Sequence, residues 1–413
     1  MIKNKIYNVQ TAGGYVIFFL VFALFSGIFM YIMWNIAIAE QNALIILEMN
    51  TDMNNPAKAE RTKEWKSRME RLNRKEIKGI YLTAYSAGNI DKMSEIVNLI
   101  NKTELNAVVI DIKDYSGYIL YDSDVPLVNE LEAEDYRVNK LDRLIKVLHK
   151  YDIYVIARQT IFQDQFLASK KPEWVLKNTS GGVWRDNNGL AWVDPVRKEV
   201  WNYNIEIARE AAKLGFDEIN FDYVRFPSDG NMSILAYNNG DRKKYEVMGD
   251  FLDYVNEQMS GVPINVSLDM FGFVMEKNGE DDMNIGQRLD DALGKVDVIS
   301  PMMYPSHYPL GHLGLDNPAD YPDLVIANGL KKGVKRFVGF NTALRPWLQA
   351  FNLGAVYDAV KIRAQIDMVE KYTPAGWLLW NASNRYSDAG LHPSEKISDL
   401  TAQSFKELFL KAK

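Results

Sequence analysis

The chain has 413 residues, of which 47% are apolar, 12% aromatic and 25% charged, a globular composition long enough for one enlarged α/β barrel. Its formal net charge of −6, with no basic face in the sequence, argues against a nucleic-acid partner. The absence of cysteine excludes disulfides, thiolate metal sites and cysteine nucleophiles, while leaving the redox compartment open.

In chain order, the first predicted element is apolar. No charged residue occurs from Gly13 through Ala39, and Tyr15 to Trp34 reads YVIFFLVFALFSGIFMYIMW. About 20 such residues span the hydrocarbon core of a bilayer, so 13–39 is expected to be a transmembrane signal anchor. Lys3 and Lys5 precede it, and Glu40, Glu48 and Asp52 follow it. This bias keeps residues 1–12 cytoplasmic and sends the rest of a single-pass cell-membrane protein outside. Ala37, Ile38 and Ala39 also form a small-residue cleavage pattern, so secretion after cleavage near Ala39 is the alternative. Residues 40–77 are highly charged, with Trp65, Met69 and Leu72 at helical spacing, and read as a juxtamembrane stalk. Whether the stalk dimerises is open.

From residue 78 to 413, short β-branched runs alternate with amphipathic helical stretches. Strands are expected at 78–85, 106–114, 153–161, 217–226, 263–273, 296–304, 336–343 and 376–383. Helical patterns such as NKLDRLIKVLHKY, RKEVWNYNIEIAREAAKLG and KYEVMGDFLDYVNEQM fall between them. Eight such units predict a (β/α)8 TIM barrel, in the α/β class. A doubly wound sheet is the alternative, but the first strand leads into LTAYSAGN, with a single glycine, and not into a phosphate-binding turn. The long loop 163–195 is where such a barrel builds a cleft.

Polar residues near the strand exits carry the chemistry. By the period-two rule Asn220 and Asp222 share a face of the fourth strand, and Asn265, Ser267 and Asp269 a face of the fifth. Asp111 and Lys113 pair likewise on the second strand, and Arg158 and Thr160 on the third. Tyr304, Asn341 and Asn381 end the last three. A barrel interior is normally branched and apolar, so this polarity is costly unless a ligand uses it. Two carboxylates facing one bond suit glycosidic hydrolysis. Asp222 is the expected nucleophile or base and Asp269 the expected acid, with Asp111 as an alternative acid or stabiliser. Arg225 is placed to hold Asp222 ionised or to bind a substrate oxygen, although a structural Asp222–Arg225 pair fits the same spacing. The expected substrate contacts are Asp111, Lys113, Arg158, Trp192, Asn220, Arg225, Asn265, Tyr304, Asn341 and Trp380. Aromatics including Trp174, Trp184, Trp192, Tyr308 and Trp347 suit stacking on sugar rings, although each alone also suits a loop core. Four histidines, His149, His307, His312 and His392, match no metal-ligand spacing, so neither metal nor cofactor is expected.

The succession KGIYLTAYSAG, NAVVIDIKDYSG, IYVIARQTIF, WVDP, GFDEINFDYVRFPSDG and SPMMYPSHY resembles the bacterial putative glycosyl hydrolase domain family, over about Lys78 to Ser387. That family is distantly similar to α-amylase-type TIM barrels, which implies a fourth-strand nucleophile at Asp222 and a fifth-strand acid at Asp269. Three positions depart from the amylase pattern. Asn220 replaces an expected Arg, Asp269 an expected Glu, and Asn341 an expected His–Asp pair.

The resulting expectation is a membrane-anchored glycoside hydrolase acting on an envelope or extracellular polysaccharide. A non-catalytic glycan-binding barrel, serving as a cell-wall or exopolysaccharide scaffold, is the alternative. A metal-dependent deacetylase is a third class. Sugar, linkage and anomer are open.

Overall fold

The computed structural model describes residues 56–394 and 401–411. The expected anchor at 13–39 lies outside the described residues. Among the described residues no helix is long and apolar enough to cross a membrane. The chain divides into two compact units, residues 1–70 and 71–413. The described part of the first belongs to helix α1, Pro56–Leu72, an uninterrupted charged run free of internal glycine and proline.

The second unit is a closed barrel of eight parallel staves: β1 Ile77–Leu82, β2 Ala107–Lys113, β3 Tyr154–Thr160, β4 Glu218–Asp222, β5 Asn265–Phe271, β6 Val298–Met302, β7 and β8 Gly376–Trp380. Stave β7 is in two pieces, Ala343–Leu344 and Trp347–Gln349. Hydrogen bonds run in sequence order from β1 to β7, the second piece of β7 pairs with β8, and β8 pairs with β1. Contact of Trp347 with Met302 closes the ring. Helices α2 Ile90–Lys102, α3 Leu141–Lys150, α4 Lys198–Leu214, α5 Lys244–Met259, α6 Leu289–Ala292, α7 Pro322–Gly333 and α8 Ala359–Tyr372 connect the staves, and α9 Ala402–Lys411 follows β8. The parallel sheet explains their need: each crossover must return over a barrel face.

Two apolar clusters result. The larger lies between staves and helices, where α4 buries Val200, Trp201, Asn204, Ile207, Ala208 and Ala211 at helical spacing. The smaller fills the interior with Ile77, Tyr81, Val109, Tyr154, Ile156, Tyr304, Trp347 and Leu378. Gly215 ends α4 at φ +105°, a left-handed turn only glycine adopts without strain, and lets the chain enter β4 directly.

One predicted stave is misplaced. Residues 336–343 were expected as the seventh strand, but Val334–Phe337 form a 3₁₀ turn after α7, and the strand begins at Ala343. The apolar RFVGF run resembles a strand locally, yet Val338, Gly339 and Phe340 are exposed, while LRPWLQ supplies the buried stave. A second difference ends β4 early. The strand stops at Asp222, before Pro227, because Tyr223 turns to φ +55°.

Candidate active site

The parallel register aligns Asp111 with Arg158, Arg158 with Asn220, and Asn220 with Ser267, so inward polar residues of four consecutive staves form one band. Arg158 lies at its centre. Its Nη1 donates to Asp111 Oδ1 at 2.6 Å, its Nη2 donates to Asp222 Oδ2, and its Nε lies 4.0 Å from Asp269 Oδ2. One guanidinium therefore faces three carboxyl groups. All four side chains are nearly enclosed, with side-chain exposures of 7% for Arg158, 4% for Asp111, 8% for Asp222 and 2% for Asp269.

The three carboxyls differ in surroundings. Asp222 accepts on both oxygens, Oδ2 from Arg158 and Oδ1 from the Tyr223 amide at 2.6 Å. A bulky residue at φ +55° directly after it is a strained conformation of the kind that clusters at functional sites. Asp269 Oδ1 accepts from Asn220 Nδ2 at 2.8 Å and Trp347 Nε1 at 2.7 Å, while Oδ2 makes no hydrogen bond among the described residues. Burial, reinforced by the charge of Asp222, pushes Asp269 well above the ordinary carboxylate range, and Arg158 does not offset it. Burial also raises Asp111, against the opposing pull of Arg158 and the Tyr81 hydroxyl, which donates to Asp111 Oδ2 at 2.5 Å. The net arrangement is a carboxyl that accepts on both oxygens beside one whose burial favours the protonated form.

Aromatic rings frame this band. Trp380 stacks on Tyr81 with centroids 3.8 Å apart at 18°, and it meets Trp347 edge-on at 5.6 Å. Arg158 lies over both Trp380, at 5.1 Å, and Tyr81, at 5.6 Å. Trp380 remains half-buried, whereas Trp347 is sealed. Tyr304 and Phe351 pack edge-on at 5.7 Å on the β6–β7 side. Next to them, at the exits of β7 and β8, a cavity of about 420 Å³ is lined by Phe351, Asn352, Tyr357, Asn381, Ser383 and Arg385.

Asp111, Arg158, Asn220, Asp222, Asp269, Tyr304 and Trp380 thus converge as expected from their faces. Asn220 does so as a brace: it is fully buried, donating to Ser267 and Asp269. Five expected contacts do not join the band. A register shift between Asp111 and Lys113, a β-bulge, turns Lys113 outward. There its Nζ meets Asp164 at 2.7 Å and donates to Thr160 O at 2.8 Å, sealed beneath α4. Asn265 has the correct parity but begins β5, so it lies at the opposite end, donating to the Leu72 carbonyl and Tyr154 hydroxyl, each at 2.9 Å. Asn341 is exposed on the approach to β7, also at the entry end. Trp192 is fully buried, its Nε1 donating to Asp186 at 3.0 Å, and together with sealed Trp184 it anchors the long loop from inside. Arg225 does not pair with Asp222; the partner is Arg158 on the adjacent stave β3, 64 residues away in sequence.

Tyr81 and Trp347 are the participants that the sequence reading did not assign to the carboxyls. Alternation on β1 places Tyr81 inward with Ile77 and Gly79, a signal available in KGIYL; Trp347 required the correct seventh stave. Among the described residues, no group of three or more His, Asp or Glu is arranged to hold a metal ion.

Comparison with known proteins agrees with this architecture. The family model described as "Putative glycosyl hydrolase domain" matches residues 79–386, about three quarters of the chain. Among solved structures, a hypothetical protein from Ruminiclostridium thermocellum ATCC 27405 is 44% identical over 45% of this chain and 96% of its own, with a TM-score of 0.43. The PgaB (BpsB) glycoside hydrolase domain from Bordetella bronchiseptica is 13% identical, covering 75% of this chain and 95% of its own, with a TM-score of 0.50. The GH20 exo-β-N-acetylglucosaminidase of Vibrio harveyi, in complex with N-acetylglucosamine, is 11% identical over 82% of this chain and 57% of its own, also at 0.50. At such low identities the last two show the shared fold alone. A search of curated proteins gives no match.

Proposed function

Because the chain belongs to this family of glycosyl hydrolase domains, we propose that its barrel hydrolyses glycosidic bonds with Asp222 and Asp269. The observation that carries the reading is the unequal pair: Asp269 is held above the ordinary range by burial and by Asp222, while both oxygens of Asp222 accept hydrogen bonds. Asp269 protonates the leaving oxygen, and Asp222 attacks the anomeric carbon or activates water. Arg158 holds Asp222 in place, and Trp380, half-buried beside it, offers its exposed part to a sugar ring. The cavity beside β7 and β8 accepts the continuing chain of a polymeric substrate. An envelope or extracellular polysaccharide is the substrate class, reached by a barrel held outside the cell through the 13–39 segment.

A second reading has its own support. Arg158 engages Asp111 and Asp222 at once, and only slivers of the carboxyls are exposed, as in a structural ion network beneath a glycan-binding surface. The two readings separate in one experiment. Purified full-length protein in detergent is incubated with a panel of bacterial and plant polysaccharides, and released reducing ends are measured for the native chain and for Asp222→Asn. Release that disappears in the folded variant supports hydrolysis. Undiminished release by the variant overturns the Asp222 assignment, and binding without release across the panel supports the scaffold.

A further inference from the structure

Arg225 combines burial, exposed chemistry and an unsatisfied charge. It is 8% exposed, three residues beyond Asp222, and its guanidinium lies 4.9 Å from the rings of Trp192 and Phe271 and 5.0 Å from that of Tyr223. Phe271 stands two residues beyond Asp269 on the same stave, at its exit end. The three rings therefore hold Arg225 one step above the carboxyl pair. Nη1 donates to the Phe226 carbonyl at 3.1 Å and to Ser228 Oγ at 3.2 Å. Among the described residues, Nε and Nη2 donate to nothing, no carboxylate lies within ion-pair distance, and neither nitrogen is sealed from solvent.

An enclosed cation without an anion is a poor structural element. Aromatic faces return less to a guanidinium than desolvating a charge costs. Burial accordingly draws the Arg225 pKa below its ordinary value, although Tyr223, Asp222, Asp229 and Asp186 act in the opposite direction. Every other nearby cation is committed: Arg158 to Asp111 and Asp222, Lys113 to Asp164. The unused edge, Nε with Nη2, is the fork that matches both oxygens of a carboxylate.

We propose that Arg225 is a specificity-determining residue that binds the carboxylate of an acidic sugar, so that the substrate is a uronic-acid-containing glycan. This rests on the hydrolase reading for its function and on Arg225 alone for its charge selectivity. The rings of Trp192, Tyr223 and Phe271 exclude water from the ion pair and hold the fork in place. A neutral sugar at this position leaves the guanidinium undesirably dry, which supplies discrimination as well as attraction.

The test uses the full-length protein with defined probes: oligogalacturonate, alginate and hyaluronan oligosaccharides, each paired with its carboxyl-reduced neutral form, together with dextran sulfate. Binding is followed by calorimetry, and melting curves check folding. At least one native probe is expected to bind the native chain about tenfold or more tightly than its reduced form. Arg225→Met is expected to erase that ratio, and Arg225→Lys, which keeps the charge without the fork, to lose most of it. If the Met variant fails to fold, the Lys variant decides. Equal binding of native and reduced probes, failure of every acidic probe to bind, selectivity that survives both substitutions, or binding of dextran sulfate alone overturns the proposal. Its failure is distinct from failure of the hydrolase reading. Asp222-dependent hydrolysis that ignores charge removes the role of Arg225 only, whereas charge-selective binding without hydrolysis removes catalysis only.

Discussion

The two ends of the barrel bury charge in opposite ways. At the entry end, Glu218 and Asp217 each have a matching donor set. Glu218 pairs with Arg345 and accepts from Tyr154 at 3.2 Å, and Asp217 is held by Arg71 at 2.8 Å, His149 at 2.9 Å and the Val155 amide at 2.9 Å. Burial opposes ionisation of Asp217, but His149 and Arg71 outweigh it and hold its carboxyl below the usual range. At the exit end, one arginine serves three carboxyls, and two of these are pushed upward. Matched pairs brace a closed floor. An unmatched cluster with raised pKa values is what proton transfer requires, and it accords with the exit-face location of barrel chemistry.

The sharpest way to break this comparison is to remove the arginine at each end in turn. Arg158→Met should lower glycan hydrolysis about 10³-fold in kcat/KM and also destabilise the fold, because Asp111 and Asp222 lose their cation. The destabilisation should shrink as pH falls, because the raised Asp111 carboxyl becomes neutral and needs no partner. Arg345→Met strands Glu218 and should cost about 3–5 kcal/mol in denaturant unfolding, with kcat unchanged in the fraction that remains folded. A large kcat effect from Arg345→Met would erase the distinction between the two ends.

The pH dependence sharpens it further. The folded pKa of Asp269 is raised, so its contribution to stability is fully present below the unfolded value of about 3.9 and is lost as pH rises through the folded value. Asp269→Asn should therefore melt higher than the native chain at pH 8, by about 2 °C or more, and nearly equally at pH 4. The same variant should lose most of its kcat/KM, and the activity that remains should lack the alkaline limb. Asp217 has the opposite sign. Its lowered pKa stabilises above the unfolded value, and that contribution is lost as pH falls through the folded value, so Asp217→Asn should be relatively less harmful in acid. The smallest effect is expected at the platform: Trp380→Ala should raise KM about three- to tenfold by removing a stacking face, with little change in kcat.

Much of this arrangement is legible in local patterns. Strand–helix alternation reports a parallel barrel because each apolar run and each amphipathic run must bury one face, and α5 falls on the predicted KYEVMGDFLDYVNEQM. Alternation also places Asp111, Arg158, Asp222 and Asp269 inward, since side-chain period is a property of a single strand. The misreadings arise where a neighbour decides. Asn265 follows the right face to the wrong end, Lys113 is reversed by one bulged residue, and RFVGF yields its place to LRPWLQ. Trp192 reads as a cleft aromatic, yet its loop folds over it.

The sequence by itself determined which segments alternate and, within regular strands, which side chains face the barrel axis, because those depend on dihedral periodicity over a few residues. Only the tertiary structure decided which cation meets which acid. Asp222 looks toward Arg225 along the chain but meets Arg158 across the sheet, and Asp269 acquires Trp347 from a stave 78 residues away. Such partnerships depend on register and ring closure, which couple distant segments through hydrogen bonds and buried volume, and no local pattern encodes them.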